Sequence, residues 1–243
     1  MLNGKSVIVT GSTSGIGQGV AEAFAAQGCN ILLNGFGDAK VIEQQREAMA
    51  QAHGIEVLYS SADMTKPEAI AEMVAMAEEA WGGVDIVVNN AGIQHVDAVE
   101  DFPAEKWDAV MAINLSSAFH TIQHAMPGMK KRKSGRIINI ASAHGLVASA
   151  NKAAYVSAKH GIVGLTKVVA LETAREPDIT CNAICPGWVL TPLVRQQIEA
   201  RAEASSKSFD EEKIALLSEK QPSCEFVTVE EIGALAVYLA GDM

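Results

Sequence analysis

A chain of 243 residues, 49% apolar and 20% charged, has the length and core-forming material of a single α/β sheet and excludes a disordered segment. Its 19 basic and 29 acidic side chains leave a formal charge of −10, which argues against a nucleic-acid partner, because phosphates demand a basic face. Residues 1–5 run straight into an apolar strand and no apolar stretch reaches the about 18 residues of a membrane span. Cys29, Cys181, Cys185 and Cys224 match neither a disulfide framework nor a metal-binding pair, so a cytoplasmic location is expected.

Strand-length apolar runs alternate with helical patterns from end to end. Strands are predicted over residues 6–10, 30–33, 57–60, 85–89, 136–140 and 179–184. Helices are predicted from the first glycine-rich turn to 26, then over 41–53, 67–81, 104–131 and 155–175. The strand runs are apolar throughout, which suits parallel strands covered on both faces. The alternation predicts one domain over residues 1–243, a Rossmann-type doubly wound parallel sheet. Residues 195–219 are polar, alanine-rich and interrupted by Ser205-Ser206, and read as a helical insertion in a lid segment of about 190–220.

The first strand ends in Gly11-Ser12-Thr13-Ser14-Gly15-Ile16-Gly17, and a helix follows. Gly11 permits the tight turn, Gly15 lets the backbone approach a pyrophosphate, and Gly17 lets helix and strand pack closely. The helix then offers free N–H groups and a positive dipole end to the phosphates. The second strand ends in Leu33-Asn34-Gly35-Phe36-Gly37-Asp38. The acid that would hold a ribose is absent from its expected place, Gly35, and no Arg or Lys stands ready for a 2′-phosphate, which favours NAD over NADP. Phe36 is placed either to cover an adenosine face or to plug the sheet edge, and Asp38 to reach the ribose. Asp63 is placed either to touch the adenine amino group or to cap the turn ahead of Pro67. Asn90-Ala91-Gly92 closes the fourth strand with small residues on which a cofactor can lie.

Tyr155 and Lys159 are spaced i, i+4, so phenol and ammonium share one helix face. A free tyrosine titrates near pH 10, and a neighbouring cation is expected to lower that value towards the range of a general base. Ser142 follows the fifth strand at its carboxyl end, where open α/β sheets place their ligands, and its hydroxyl can hold a substrate oxygen in line with Tyr155.

In this order and spacing, Gly11-x-x-x-Gly15-x-Gly17, Asn89-Asn90-Ala91-Gly92, Asn114, Ser142, Tyr155 with Lys159, and Pro186-Gly187 resemble the short-chain dehydrogenase/reductase family along nearly the whole chain. The resemblance implies an oxidoreductase in which Tyr155 is the acid/base, Lys159 tunes it and anchors the ribose, and Ser142 steadies the substrate oxygen. Asn114 is implied to hold a proton-relay water, a role compatible with an ordinary helix hydrogen bond. NAD contacts are implied for Gly11, Thr13, Ser14, Gly15, Ile16, Gly17, Phe36, Asp63, Met64, Asn90, Ala91, Gly92, Tyr155, Lys159, Pro186, Gly187, Val189 and Thr191. Family members are usually tetramers, so a homotetramer is expected.

Around this core lie Gln94, His144, Lys152, Trp188, Gln196 and Gln197, and a cation with several amide and imidazole donors suits a small carboxylate. The runs Gly92-Ile93-Gln94-His95-Val96, Ser142-Ala143-His144-Gly145-Leu146-Val147-Ala148, Cys185-Pro186-Gly187-Trp188-Val189-Leu190-Thr191-Pro192 and Leu217-Ser218-Glu219-Lys220-Gln221-Pro222 resemble the branch of the family that acts on small 3-hydroxy acids. That resemblance implies that Gln94, His144, Lys152 and a lid glutamine bind the carboxylate, with Gln197 assigned and Gln196 the alternative. Singly, Lys152 reads as a solvated surface charge, His144 as a loop cap and Trp188 as core or interface. Two other functions stay open: an NADPH-dependent 3-oxoacyl thioester reductase, which needs a basic side chain near Phe36, and a truncated, inactive nucleotide-binding protein. His120 and His124 are spaced i, i+4 without the acid of a zinc helix, and no metal is expected. Relatives continue past Met243 by about one strand, so the sheet is expected to lack its last strand.

Overall fold

Val7, Ile8 and Val9 have no solvent exposure at all, because the strand they form is covered on both faces. The computed structural model describes residues 2–176, 178–219 and 221–241 (for Leu193, the backbone), so Lys220 and the terminal Asp242-Met243 lie outside the described residues. Six strands, β1 (Ser6–Val9), β2 (Asn30–Asn34), β3 (Val57–Ser60), β4 (Ile86–Asn89), β5 (Gly135–Ile140) and β6 (Ile179–Ile184), form one parallel sheet in the order β3-β2-β1-β4-β5-β6. The predicted strands are all present, with ends shifted by a residue at most. Val7 pairs with Ile31 on one side and Ile86 on the other, so β1 is the point at which the winding reverses. Ligands of open α/β sheets bind outside the strand carboxyl ends at such a point.

Strand periodicity assigns the two faces. Val7, Val9, Ile31, Leu33, Ile86, Val88 and Ile138 point to one side, where they pack on Val20 and Phe24 of α1 (Gly15–Ala25) and on Ile232 and Ala236 of α9 (Val229–Ala240). Met49 of α2 (Ala39–His53) joins that layer. Ile8, Leu32, Val87 and Ile137 point to the other side and meet Ile70 and Met73 of α3 (Pro67–Trp81) and Ile122 and Met129 of α5 (Ser117–Arg132). Each such fully buried aliphatic side chain contributes about 1.5–3 kcal/mol. α1 and α9 approach closely because a Cβ on Gly19 would lie 2.7 Å from Val229 Cβ and one on Gly233 2.8 Å from Ala23 Cβ.

The helix predicted over 104–131 is not continuous. α4 (Ala104–Met111) passes into a widened π-type turn, Ala112–Ser116, before α5 begins. The insertion accommodates Asn114, a buried carboxamide held by a distant loop. α6 (Ala153–Glu172) starts two residues earlier than predicted, which places Tyr155 in its first turn and Lys159 one turn on. The segment read as a lid folds into two helices, α7 (Pro192–Ser205) and α8 (Phe209–Ser218). Arg201 joins them through Glu212 at 3.1 Å and Glu219 at 3.0 Å. Among the described residues no strand follows α9, and no helix is long and apolar enough to cross a membrane.

Candidate active site

A cavity of about 490 Å³ opens at the carboxyl ends of the strands. Its first wall is the turn between β1 and α1. Gly11, at φ +63°, lies so close to the β4 turn that a Cβ would stand 2.9 Å from Ala91 Cα. Asn90 welds the two turns, since its Nδ2 donates to Thr10 O at 2.9 Å and Gly11 O at 3.0 Å. Thr10 Oγ1 in return accepts from the N–H groups of Asn90 and Ala91, both at 3.0 Å. Thr13, Ser14, Gly15, Ile16, Asn90, Ala91 and Gly92 line the cavity. Gly17 does not; it sits behind the turn, where any Cβ would strike Gly11 O, so its part is packing.

The wall beyond β2 explains the missing acid. Gly35 has φ +151°, and a Cβ there would stand 2.5 Å from Thr13 Oγ1. An aspartate at this position meets both a backbone that L residues avoid and an occupied space. Thr13 Oγ1 donates to Phe36 O at 3.1 Å, and Tyr59 OH to Gly35 O at 2.8 Å, fixing the turn. Phe36, 68% exposed, lines the cavity as a lid over open space rather than a plug. Asp38 does not turn towards the cavity: its carboxylate caps α2, accepting from the N–H groups of Lys40 and Val41. Asp63 lines the cavity beside Met64 while Oδ1 accepts from Thr65 N–H and Oγ1, and these bonds hold its carboxyl below the ordinary range.

Ser142, Tyr155 and Lys159 converge on the same cavity. Ser142 Oγ accepts from His144 N–H at 3.1 Å and shares a hydrogen bond with Tyr155. Lys159 is 4% exposed, and its Nζ donates to Ile140 O at 2.7 Å and lies 5.6 Å from the Tyr155 ring centroid. Burial pushes the ammonium down from 10.5 to about 8. Burial also pushes the Tyr155 phenol up, against the smaller downward pull of its bond with Ser142. The expected lowering of Tyr155 by its lysine is therefore not seen here; burial raises the phenol instead. Asn114 stands outside the cavity lining. Its Oδ1 accepts from Ile93 N–H at 2.9 Å and its Nδ2 donates to Ile93 O at 3.0 Å, so the carboxamide fastens the loop that carries Gln94.

Gln94, His144, Lys152, Trp188 and Gln197 all line the same cavity as Tyr155, and Gln196 does not. Gln94 Nε2 is buried and has no hydrogen-bond partner among the described residues. Lys152 Nζ stands 5.4 Å from the Trp188 ring centroid, within reach of a cation–π contact. His144 Nε2 lies 2.7 Å from Ser149 Oγ, and its ring meets the Tyr155 ring edge-on at 5.9 Å. Pro186, Gly187, Val189 and Thr191 complete the wall. Of the basic lining residues, Lys159 is held at the end of β5 and His144 follows that strand, whereas the acidic one, Asp63, follows β3 at the edge of the sheet beyond β2. Gln221, which follows α8, also lines the cavity and was not assigned a role from sequence.

The short chain dehydrogenase family profile matches residues 5–202. A D-beta-hydroxybutyrate dehydrogenase of Cupriavidus necator is 61% identical over 243 residues, 100% of this chain and 93% of that protein. The chain belongs to the short-chain dehydrogenase family. A second relative, a D-beta-hydroxybutyrate dehydrogenase of Rhizobium meliloti, is 54% identical over 98% of this chain and 92% of that protein. A solved tryptophan variant of actinorhodin polyketide ketoreductase with NADPH superposes with TM-score 0.90 at 32% identity, covering 99% of this chain and 92% of that one. Short-chain dehydrogenases use a nicotinamide dinucleotide, and the residues present fit one: Gly11 and Thr13 to Ile16 line the cavity at the start of α1, whose N-terminus no side chain caps among the described residues.

Proposed function

We propose that this short-chain dehydrogenase interconverts D-3-hydroxybutyrate and acetoacetate with NAD. The observation that carries the reading is the buried Gln94 Nε2, which has no hydrogen-bond partner among the described residues and lines the cavity together with Lys152, His144 and Tyr155. A buried donor without a partner costs about 1–3 kcal/mol, and a carboxylate oxygen offsets that cost. The two hydroxybutyrate dehydrogenases at 61% and 54% identity support the same substrate.

The residues divide the work by position. Gln94, His144, Lys152 and Gln197 hold the carboxylate, and the Trp188 indole keeps water from that end. Ser142 donates to the C3 oxygen. The Tyr155 phenolate takes the proton of that oxygen in oxidation and becomes the phenol, the phenol returns it in reduction, and Lys159 steadies the negative charge of the phenolate. A nicotinamide, when bound, supplies the acceptor for the hydrogen on C3. Gly11, Thr13, Ser14, Gly15 and Ile16 hold the pyrophosphate, with Gly17 behind them, and Phe36, Asp63 and Met64 the adenosine. Asn114 acts by fixing Ile93 and thereby Gln94, and its place in the widened turn suits a water held at its main chain.

NAD is favoured over NADP because the turn after β2 brings only Gly35 and Phe36 to the cavity, and neither offers a cation to a 2′-phosphate. The segment of about 190–220 closes as a lid, moving as a unit because Arg201 ties α7 to α8. Assembly into a homotetramer is supported by the exposed Leu171 and Val168 of α6 and Phe119 of α5. Free thiols at Cys29, Cys181, Cys185 and Cys224 suit the cytoplasm. The test is a panel of hydroxy acids and 3-oxoacyl thioesters assayed with both cofactors. Turnover of 3-hydroxybutyrate with NAD is expected, and thioester reduction with a preference for NADPH would overturn the reading.

A further inference from the structure

Both main-chain groups of Trp188 are held by the segment that leaves the lid. Its N–H donates to Gln221 Oε1 at 2.9 Å, and its carbonyl accepts from Val227 N–H at 2.9 Å beside a parallel bridge between Val189 and Val227. The lid begins at Pro192, four residues after Trp188, and ends at Gln221, so its two ends meet at one peptide unit. Gln221 is braced for this. Its main-chain N–H donates to Leu217 O at 2.8 Å, its carbonyl accepts from Cys224 N–H at 2.9 Å, and its Nε2 donates to Glu225 O. Gly187 makes the room, because a Cβ there would lie 2.6 Å from Gln221 Oε1. The Trp188 indole in turn faces the Lys152 ammonium.

We propose that Gln221 is a positioning residue: its carboxamide clamps the Trp188 peptide, registers both ends of the lid, and so sets the indole and Lys152 where the substrate carboxylate is read. The inference rests on the reading of this end of the cavity as a hydroxy-acid site. It assigns Gln221 to recognition of the acid, through Trp188 and Lys152, and not to recognition of the dinucleotide.

The experiment compares Gln221→Met, which keeps the shape and removes both hydrogen bonds, with Gly187→Ala, which displaces the carboxamide without altering it. Loss of one neutral hydrogen bond and of the register it fixes is expected to raise KM for D-3-hydroxybutyrate by about tenfold in either variant. The Kd for NAD is expected to stay within about twofold in Gln221→Met. Combined with Lys152→Ala, Gln221→Met is expected to add less than about twofold, since the glutamine acts through the same cation. Trp188 emission, read without any acid in a background with Trp81→Phe and Trp107→Phe, is expected to shift to the red. An unchanged KM, a fully additive effect with Lys152→Ala, or a Kd for NAD rising in step with KM would overturn the proposal. A wild-type protein that turned over no hydroxy acid would sink the substrate reading instead. The clamp would then be decided by Trp188 emission alone, a red shift sustaining it and a constant spectrum refuting it.

Discussion

Replacing Gln94 by Met should strengthen the fold and weaken the enzyme. Met matches the length of Gln, so the cavity wall keeps its shape while the buried amide is lost. In the ligand-free protein Gln94 Nε2 has no hydrogen-bond partner among the described residues, a penalty of about 1–3 kcal/mol that methionine does not carry. For a chain of this length each kcal/mol recovered raises Tm by about 2–4 °C. The substrate complex responds with the opposite sign. A donor to a carboxylate is worth about 1.5–3 kcal/mol, so KM for the acid should rise by about 10- to 100-fold, with KM for NAD unchanged. Differential scanning fluorimetry and steady-state kinetics on one preparation read both effects. A variant of lower Tm with an unaltered KM for the acid would refute the reasoning, because it would mean that Gln94 is satisfied within the fold and idle towards the ligand.

Tyr155→Phe should lower kcat by about 10²–10⁴-fold, the range of general acid–base catalysis, while NAD titration by fluorescence shows binding retained. Lys159 supplies a pH dependence: its ammonium titrates near about 8 in the fold against 10.5 when unfolded. The unfolded chain therefore binds more protons between those values, and stability of the ligand-free protein should rise with pH across that window by up to about 3 kcal/mol, to be lost again as pH falls towards 8. Urea unfolding across the window checks this, and Lys159→Met should remove the slope. Asn90→Ala should destabilise by about 1–3 kcal/mol, since it strips Thr10 O and Gly11 O of their donor, and should weaken NAD binding in parallel. Gly35→Asp, which installs an acid for the ribose, should fail to improve NAD affinity, because its Cβ falls 2.5 Å from Thr13 Oγ1; a Kd lower than that of wild type would contradict the geometry.

The sheet was legible because every strand is built on a short, mainly apolar run between helical patterns, and the predicted limits of β3, α3 and β6 coincide with those observed. The convergence of Tyr155, Lys159 and Ser142 was legible because two of them sit one helical turn apart and the third follows the carboxyl end of β5. What was not legible depends on partners far along the chain. The widened turn at Ala112–Ser116 answers to Ile93, about twenty residues earlier, and no local pattern marks it. By sequence position Asp38 can reach a ribose, but as an acid immediately ahead of a helix it serves as the cap of α2. The direction of the Tyr155 shift turned on how deeply packing buries it, which spacing does not reveal. Gln221 had a signal, a glutamine beside Pro222 at the end of a polar insertion, but its target, the Trp188 peptide, lies 33 positions away.

The central claim is that one cavity binds a small acid so that its 3-hydroxyl meets Tyr155 and Ser142. Initial rates of NAD reduction with D-3-hydroxybutyrate and with its L enantiomer, each at several concentrations, test this most directly. Saturable turnover of the D acid and little of the L acid is expected. Equal rates with both, or none with either, would contradict it.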